Sequence, residues 1–308
     1  MTKSRKSRNT ADSANSYVGR FAPSPTGPLH LGSLVCALAS YLDARAAGGR
    51  WLVRIEDIDP PREVPGAADA ILAALRDHGL QWHGDVLWQS TRTPDYQHTV
   101  DMLLAEGRAY RCDCSRKDVA NMGGIYDGRC RDRKLGPDSN AAVRLNVSDL
   151  PAIQVQDAVQ PDLRCDLARE VGDFVILRRD GLFAYQLAVV VDDADQGITR
   201  IVRGSDLYDS TPKQIALQHV LGLPQPDYAH IPVIENDLGQ KLSKQSHAPA
   251  LEANRALENL ELALRFLGQP LPVQKPADTD ALLRWAVEHW DLSSIPRRSG
   301  IPASRLGC

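Results

Sequence analysis

The chain has 308 residues, 43% of them hydrophobic and 24% charged, with a formal net charge of −3 at pH 7. That balance is ordinary for a water-soluble globular protein and excludes a bulk polyanion binder, so any RNA contact must come from a local basic surface. No apolar run is long enough for a membrane span.

Residues 1–16 are basic and serine-rich and lack the apolar core of a secretory signal. They read as a disordered tail, with a transit peptide as the alternative. Tyr17-Val18 opens a strand that runs into Arg20-Phe21-Ala22-Pro23-Ser24-Pro25-Thr26-Gly27-Pro28-Leu29-His30-Leu31-Gly32-Ser33. Three prolines stiffen this turn, and Leu34 to Leu42 reads as a helix. A strand, a stiff turn and a helix N-terminus are where an α/β sheet receives phosphates, because unpaired N–H groups and the helix dipole face the anion. The turn is neither a G-x-G-x-x-G fingerprint nor a P-loop, since no G-K-[ST] closes it. Gly32 lets a ligand approach the backbone, and His30 carries a ring donor for phosphate oxygens.

Gly48-Gly49 turns the chain into a buried strand, Trp51 to Ile55. Glu56-Asp57-Ile58-Asp59 follows at its carboxyl end, where a carboxylate meets a ligand ammonium or caps the next helix, expected from about Pro65 to Leu75. A further helix from about Pro94 to Glu106 aligns Tyr96, Val100, Leu103 and Leu104. Tyr110-Arg111-Cys112-Asp113-Cys114 then places two thiols on one side of an extended segment. If Tyr126 to Cys130 is helical, Tyr126 and Cys130 share a face. Three thiolates and one oxygen would enclose a zinc ion in a structural site. Tyr126, Asp113, Asp132 or a water is open for the fourth position. Cysteines clustered this way suit a metal site in a reducing cytosol better than a disulfide framework.

Short strands are expected at Ala142–Val147 and Ile153–Val155, and Asp180-Gly181 reads as a hairpin turn between two apolar runs. The second run leaves strand for helix after Tyr185, or stays a strand, and Asp192-Asp193 ends it. Ile198 to Val202 is a strand with Arg203 at its carboxyl end, and Thr211 to Leu221 a helix with Gly222 past its end. Downstream, Asp237-x-Gly239 marks a turn before Lys241-Leu242-Ser243-Lys244. Helices are expected over Leu251–Leu267 and Asp280–His289, with Trp285 and Trp290 as packing residues.

Pro23 to Gly32 resembles the nucleotide-binding motif of class I aminoacyl-tRNA synthetases in its glutamyl form, and Lys241 to Lys244 resembles their second motif. Gln245 departs from the usual residue there. Arg54 to Asp59 and the C-x-C, Y-x3-C pattern resemble the same family, and the likeness spans about Tyr17 to Lys244. It implies an α/β fold: a Rossmann-like parallel-sheet catalytic domain in two halves (17–108 and 171–245), a zinc-bearing insertion (109–170) and a short helical C-terminal part (246–308) without an anticodon-binding domain. It implies glutamate contacts from Arg20, Phe21, Ala22, Pro23, Ser24, Glu56, Tyr185 and Arg203, and ATP contacts from His30, Gly32 and Lys244. Catalytic roles fall to His30, Lys241 and Lys244, and zinc to Cys112, Cys114, Tyr126 and Cys130. The cationic forks of Arg20 and Arg203 and the anionic Glu56 suit a dicarboxylate amino acid, with either arginine open for either carboxylate. The short ending resembles a truncated branch of the family that uses ATP, with Mg²⁺, to activate glutamate and places it on queuosine in the anticodon arm of tRNA(Asp). A cytoplasmic monomer is expected. The competing readings are a synthetase that charges tRNA 3′ ends, a non-catalytic RNA-binding relative, and a zinc-bearing ligase acting on a small molecule.

Overall fold

Alternation along β2 (Arg50–Ile55) sets the architecture. Trp51, Val53 and Ile55 enter one hydrophobic core, whereas Leu52 enters a second core on the opposite face. Both faces of this strand are therefore covered, as parallel sheets require. β1 (Val18–Phe21) pairs parallel to β2, with Val18 opposite Arg50, and β3 (Leu87–Trp88) extends the sheet beyond β2. On the other side of β1 lie β9 (Arg200–Gly204) and β10 (Asp227–Ile231), parallel to each other. The Thr199 amide donates to the Val18 carbonyl and closes the gap between the two strand sets. The strand order thus reverses between β1 and β9, and the crevice at their carboxyl ends is where such a sheet binds ligands. The computed structural model describes residues 17–236 and 250–306. The N-terminal tail and the expected lysine turn, including Lys241 and Lys244, lie outside the described residues.

The first core packs α1 (Leu31–Ala46), α2 (Ala67–Asp77), α8 (Ala256–Phe266) and α9 (Thr279–Glu288) on the sheet. Asp43, buried within α1, accepts from the Tyr17 hydroxyl at 2.5 Å and from Trp290 Nε1 at 2.9 Å, so Trp290 is a packing residue as expected. The second core packs α3 (Thr93–Ala105), α6 (Tyr185–Asp195) and α7 (Thr211–Leu221) on the opposite face. Between α3 and α6 the chain forms an antiparallel sheet of β4 (Ala109–Cys112), β5 (Ala142–Leu145) and β8 (Val175–Leu177). It also forms the short helices α4 (Arg116–Asn121) and α5 (Leu167–Glu170), and the pair β6 (Ile153–Val155) and β7 (Leu163–Cys165). After β10, β11 (Val233–Glu235) pairs parallel to β12 (Gly300–Pro302).

Several expectations shift. The run after the Asp180-Gly181 turn is helical from Tyr185, with only one bridge, Leu177 to Phe183, on its strand-like start. Asp192 and Asp193 do not end this helix. They are buried inside it, because arginines on the sheet neutralise them. Tyr126 to Cys130 is not helical; a turn with Gly128 at φ 81° brings its ends together. α8 begins at Ala256 after a 3₁₀ turn, later than Leu251.

Gly222 ends α7 at φ 64° and donates its amide back to the last turn. An L-residue there pays the left-handed penalty, so Gly222→Ala is expected to cost about 1 kcal/mol. A urea midpoint equal to the parent's would show that the helix does not need this conformation.

Candidate active site and metal centre

The second core's face of the sheet turns polar at its carboxyl ends. Two residues beyond apolar Val18, Leu52, Ile201 and Tyr228 stand Arg20, Arg54, Arg203 and His230, each less than 6% exposed. Because side chains alternate, these four lie in one row beneath α6 and α7. Asp193 of α6 meets Arg20 Nε at 3.2 Å and Arg54 Nη1 at 2.9 Å. Asp192 accepts from the Tyr96 hydroxyl at 2.7 Å, Gln89 Nε2 at 2.8 Å and Arg92 Nε at 3.2 Å. Burial works against the Asp193 charge, but Arg20 and Arg54 outweigh it and hold the carboxyl below its ordinary range.

Glu56 follows Arg54 past the end of β2, and its amide donates to the Pro23 carbonyl at 3.0 Å, which ties this strand end to the proline turn. Its carboxylate is the poorly served member of the cluster. Oε1 is 3.5 Å from Arg54 Nη2 and accepts no hydrogen bond. Burial lifts its pKa to about 7, only partly offset by Arg54 and Arg20. A cavity of about 240 Å³ opens here, lined by Ser24, Pro25, Thr26, Glu56, Gln89 and Tyr185 among others. The Tyr185 phenol, at the start of α6, is raised by burial and by Glu56 and lowered by Arg203 and Arg20. Arg20, Glu56, Tyr185 and Arg203 thus share one neighbourhood.

The two expected arginine forks differ. Arg20 bonds Asp193 through Nε alone, which leaves both terminal nitrogens for a ligand. Arg203 has four bonds to protein: Nε to His230, Nη1 to Gln214, and Nη2 to Thr211 and Leu207. Of five N–H groups, one remains.

Other expected residues fall nearby with different environments. Phe21 stacks on Trp51 in the first core, and Ala22 and Pro23 form the turn's backbone. His30 is the N-cap of α1, its Nδ1 accepting from the Ser33 amide at 3.3 Å, with Gly32 in the first turn. His30 also bridges Ala250, so the chain re-enters beside this turn six residues after Lys244. A larger hollow of about 360 Å³, lined by Tyr41, Arg45, Asp280 and Arg284, shares no residue with these motifs. Sequence reasoning missed Arg54, Asp192, Asp193, Asp157 and His230. The available signal was a charged residue inside an apolar strand, which must find buried partners.

The sulfurs of Cys112, Cys114 and Cys130 lie within 4.8 Å of one another. Cys114 and Cys130 Sγ are 3.6 Å apart, close to the edge of about 3.8 Å expected for a tetrahedron with bonds of about 2.3 Å. The Tyr126 oxygen accepts from Cys112 Sγ at 3.3 Å and from the Cys130 amide at 3.1 Å. Burial and its sulfur neighbours push the Cys114 thiol up to about 12, whereas at Cys112 burial is outweighed by hydrogen bonds with Tyr126 and Arg144, which hold that thiol below its ordinary value. Asp113, a rival ligand, is held by both terminal nitrogens of Arg133. The donor set fits a structural metal. Arg179 of the hairpin donates to the Asp113 and Cys114 carbonyls, and the same hairpin delivers Phe183 and Tyr185 to the cavity.

Residues 17–265 match the family described as tRNA synthetases class I (E and Q), catalytic domain. A Pseudomonas aeruginosa protein named Glutamyl-Q tRNA(Asp) synthetase is 56% identical over 293 residues, covering 95% of this chain and 99% of the relative. One of the same name from Serratia proteamaculans is 54% identical, covering 92% and 94%. Among solved structures, a glutamate tRNA ligase from Elizabethkingia meningosepticum in complex with its amino acid superposes with a TM-score of 0.77. It is 21% identical, over 95% of this chain and 68% of that one, and shows a shared fold.

Because Glu56 binds its proton more tightly in the folded chain, folding stability contributed by the neutral carboxyl is lost as pH rises from the ordinary glutamate range through about 7. Glu56→Gln is therefore expected to gain stability over the parent between pH 5 and pH 8, by at most about 3 kcal/mol. A stability difference that does not grow with pH in ligand-free denaturation would contradict the buried, unserved carboxylate.

Proposed function

The chain belongs to the class I tRNA synthetases of the glutamyl and glutaminyl type, and from that membership we propose that it activates glutamate with ATP and transfers it to queuosine in the anticodon loop of tRNA(Asp). The observation that carries this is the near-full-length kinship with proteins named for that reaction.

The glutamate α-carboxylate attacks the ATP α-phosphate, pyrophosphate leaves, and a cis-diol hydroxyl of queuosine then attacks the mixed anhydride and releases AMP. No protein nucleophile is needed; positioning and electrostatics supply the rate. Glu56 holds the substrate ammonium in this reading, supported by its buried oxygen without a hydrogen bond beside the cavity. Arg20 offers a fork to one carboxylate, Arg203 a single N–H to the other, and Tyr185 a phenol. Ser24 and the backbone of Phe21, Ala22 and Pro23 border the amino acid. His30, Gly32 and the N-terminus of α1 face the phosphates of ATP, which arrives with Mg²⁺. Lys244, assisted by Lys241, stabilises charge that develops at the α-phosphate. Cys112, Cys114, Cys130 and Tyr126 would hold a zinc ion, which would pin the segment 109–170 between the catalytic halves and supply no chemistry to the reaction. The enzyme works as a cytoplasmic monomer on the anticodon arm, and no helix among the described residues is long and apolar enough to cross a membrane.

Labelled glutamate is expected on queuosine-containing tRNA(Asp), and on the anticodon fragment after ribonuclease cleavage. Label on the 3′ fragment would make the chain an end-charging synthetase, and absence of glutamate-dependent ATP–pyrophosphate exchange would make it non-catalytic. Lys244→Ala should lower that exchange by on the order of 10²-fold with the fold retained. Metal analysis is expected to find one zinc per chain, lost in Cys130→Ser. Tyr126→Phe should release zinc to a chelator at least about tenfold faster, and an unchanged release rate would remove Tyr126 from the fourth position and leave it to an aspartate or a water.

A further inference from the structure

His230 and Asp157 lie behind Arg203, and neither lines the cavity. Arginine only donates hydrogen bonds. Arg203 Nε stands 2.9 Å from His230 Nε2, so that ring nitrogen must be the acceptor and the ring proton must sit on Nδ1. Nδ1 faces Asp157 Oδ2 at 2.5 Å. The other Asp157 oxygen accepts three backbone amides, from Val159 at 3.0 Å, Gln160 at 2.8 Å and His230 at 3.1 Å. The ring is fully buried, with Tyr228 stacked on one face and the Tyr208 edge against it. Thr211 and Gln214 hold the terminal nitrogens of the same guanidinium.

We propose that Asp157 and His230 are positioning residues for the amino-acid substrate: they fix one histidine tautomer, which fixes the guanidinium of Arg203 and aims its remaining N–H at a substrate carboxylate. The proposal rests on the reading of Arg203 as a glutamate-binding residue. Asp157 comes from the loop between β6 and β7 and His230 from β10, so two distant segments set the pose of one side chain.

Asp157→Asn tests it with a change of almost no volume. Three backbone amides demand an oxygen at the Oδ1 position, so the new amide nitrogen faces His230 Nδ1. The ring must then accept there and carry its proton on Nε2, where it opposes the Arg203 Nε–H, donor against donor. The expected result is a rise in the glutamate KM of about 10- to 100-fold in ATP–pyrophosphate exchange. The kcat and the KM for ATP should stay within about threefold, because the site's phosphate groups are untouched. Nitrogen-15 NMR of the imidazole should move from the Nδ1–H to the Nε2–H tautomer, the signal being assigned by its loss in His230→Gln.

A second pair serves if Asp157→Asn does not fold. His230→Gln keeps an acceptor oxygen near Arg203 and should retain glutamate KM within about fivefold, while His230→Leu removes it and should not. Equal KM values in that pair, or an unchanged glutamate KM in folded Asp157→Asn, overturn the proposal. Arg203→Ala separates the two levels. If it leaves glutamate KM unchanged, the binding reading fails and the positioning role falls with it; if it raises KM while Asp157→Asn does not, the relay alone is wrong.

Discussion

The buried ion cluster at the carboxyl ends of β1 and β2 is the constraint on which the site depends. Arg20, Arg54 and Arg92 face Glu56, Asp192 and Asp193, three cations against three carboxylates. Charges so poorly hydrated persist only when they find partners, and deletion of a well-paired member such as Asp192 or Asp193 leaves its arginines uncompensated at a cost of about 3–5 kcal/mol. The cluster also joins α6 to the sheet. The helix that carries Tyr185 therefore cannot shift without breaking ion pairs, which holds the phenol at the cavity.

Within that cluster Glu56 is served least. Asp192 and Asp193 have short hydrogen bonds from tyrosine, glutamine and arginine, whereas Glu56 has a distant guanidinium and an oxygen without a hydrogen bond. In the proposed reading a substrate ammonium would supply the missing partner and draw the carboxyl toward its charged form. Arg203 is the opposite case, with nearly every N–H engaged. Such a side chain is pre-organised and contributes orientation more than grip.

The cysteine module is physically continuous with the cavity. Arg179 reaches the backbone of Asp113 and Cys114 from the hairpin that leads into α6. Gly172 accepts a bridge to Tyr126, and a Cβ there would lie 2.4 Å from the Tyr126 carbonyl oxygen. A metal held by the three thiols would therefore also fix the backbone against which this hairpin rests.

Local pattern was enough for much of the architecture. Proline and glycine placement announced the turn at Pro23–Gly32, alternation announced β2, Asp180-Gly181 announced the turn that leads into α6, and Gly222 marked the end of α7. The cysteine cluster was legible because Cys112, Cys114 and Cys130 lie within nineteen residues, and the structure brings their sulfurs within 4.8 Å. What tertiary structure alone decided is pairing across distance. Arg54 looks like an interruption of a strand until α6 supplies Asp192 and Asp193 more than a hundred residues later. Tyr126 and Cys130 come together through a left-handed glycine turn and not through helical spacing. Asp157 and His230 belong to no motif, because a loop residue and a strand residue that meet only in the fold leave no periodic trace in the chain. Sequence order records which side chains are available; only the packed sheet determines which of them share the same few ångströms of low-dielectric space.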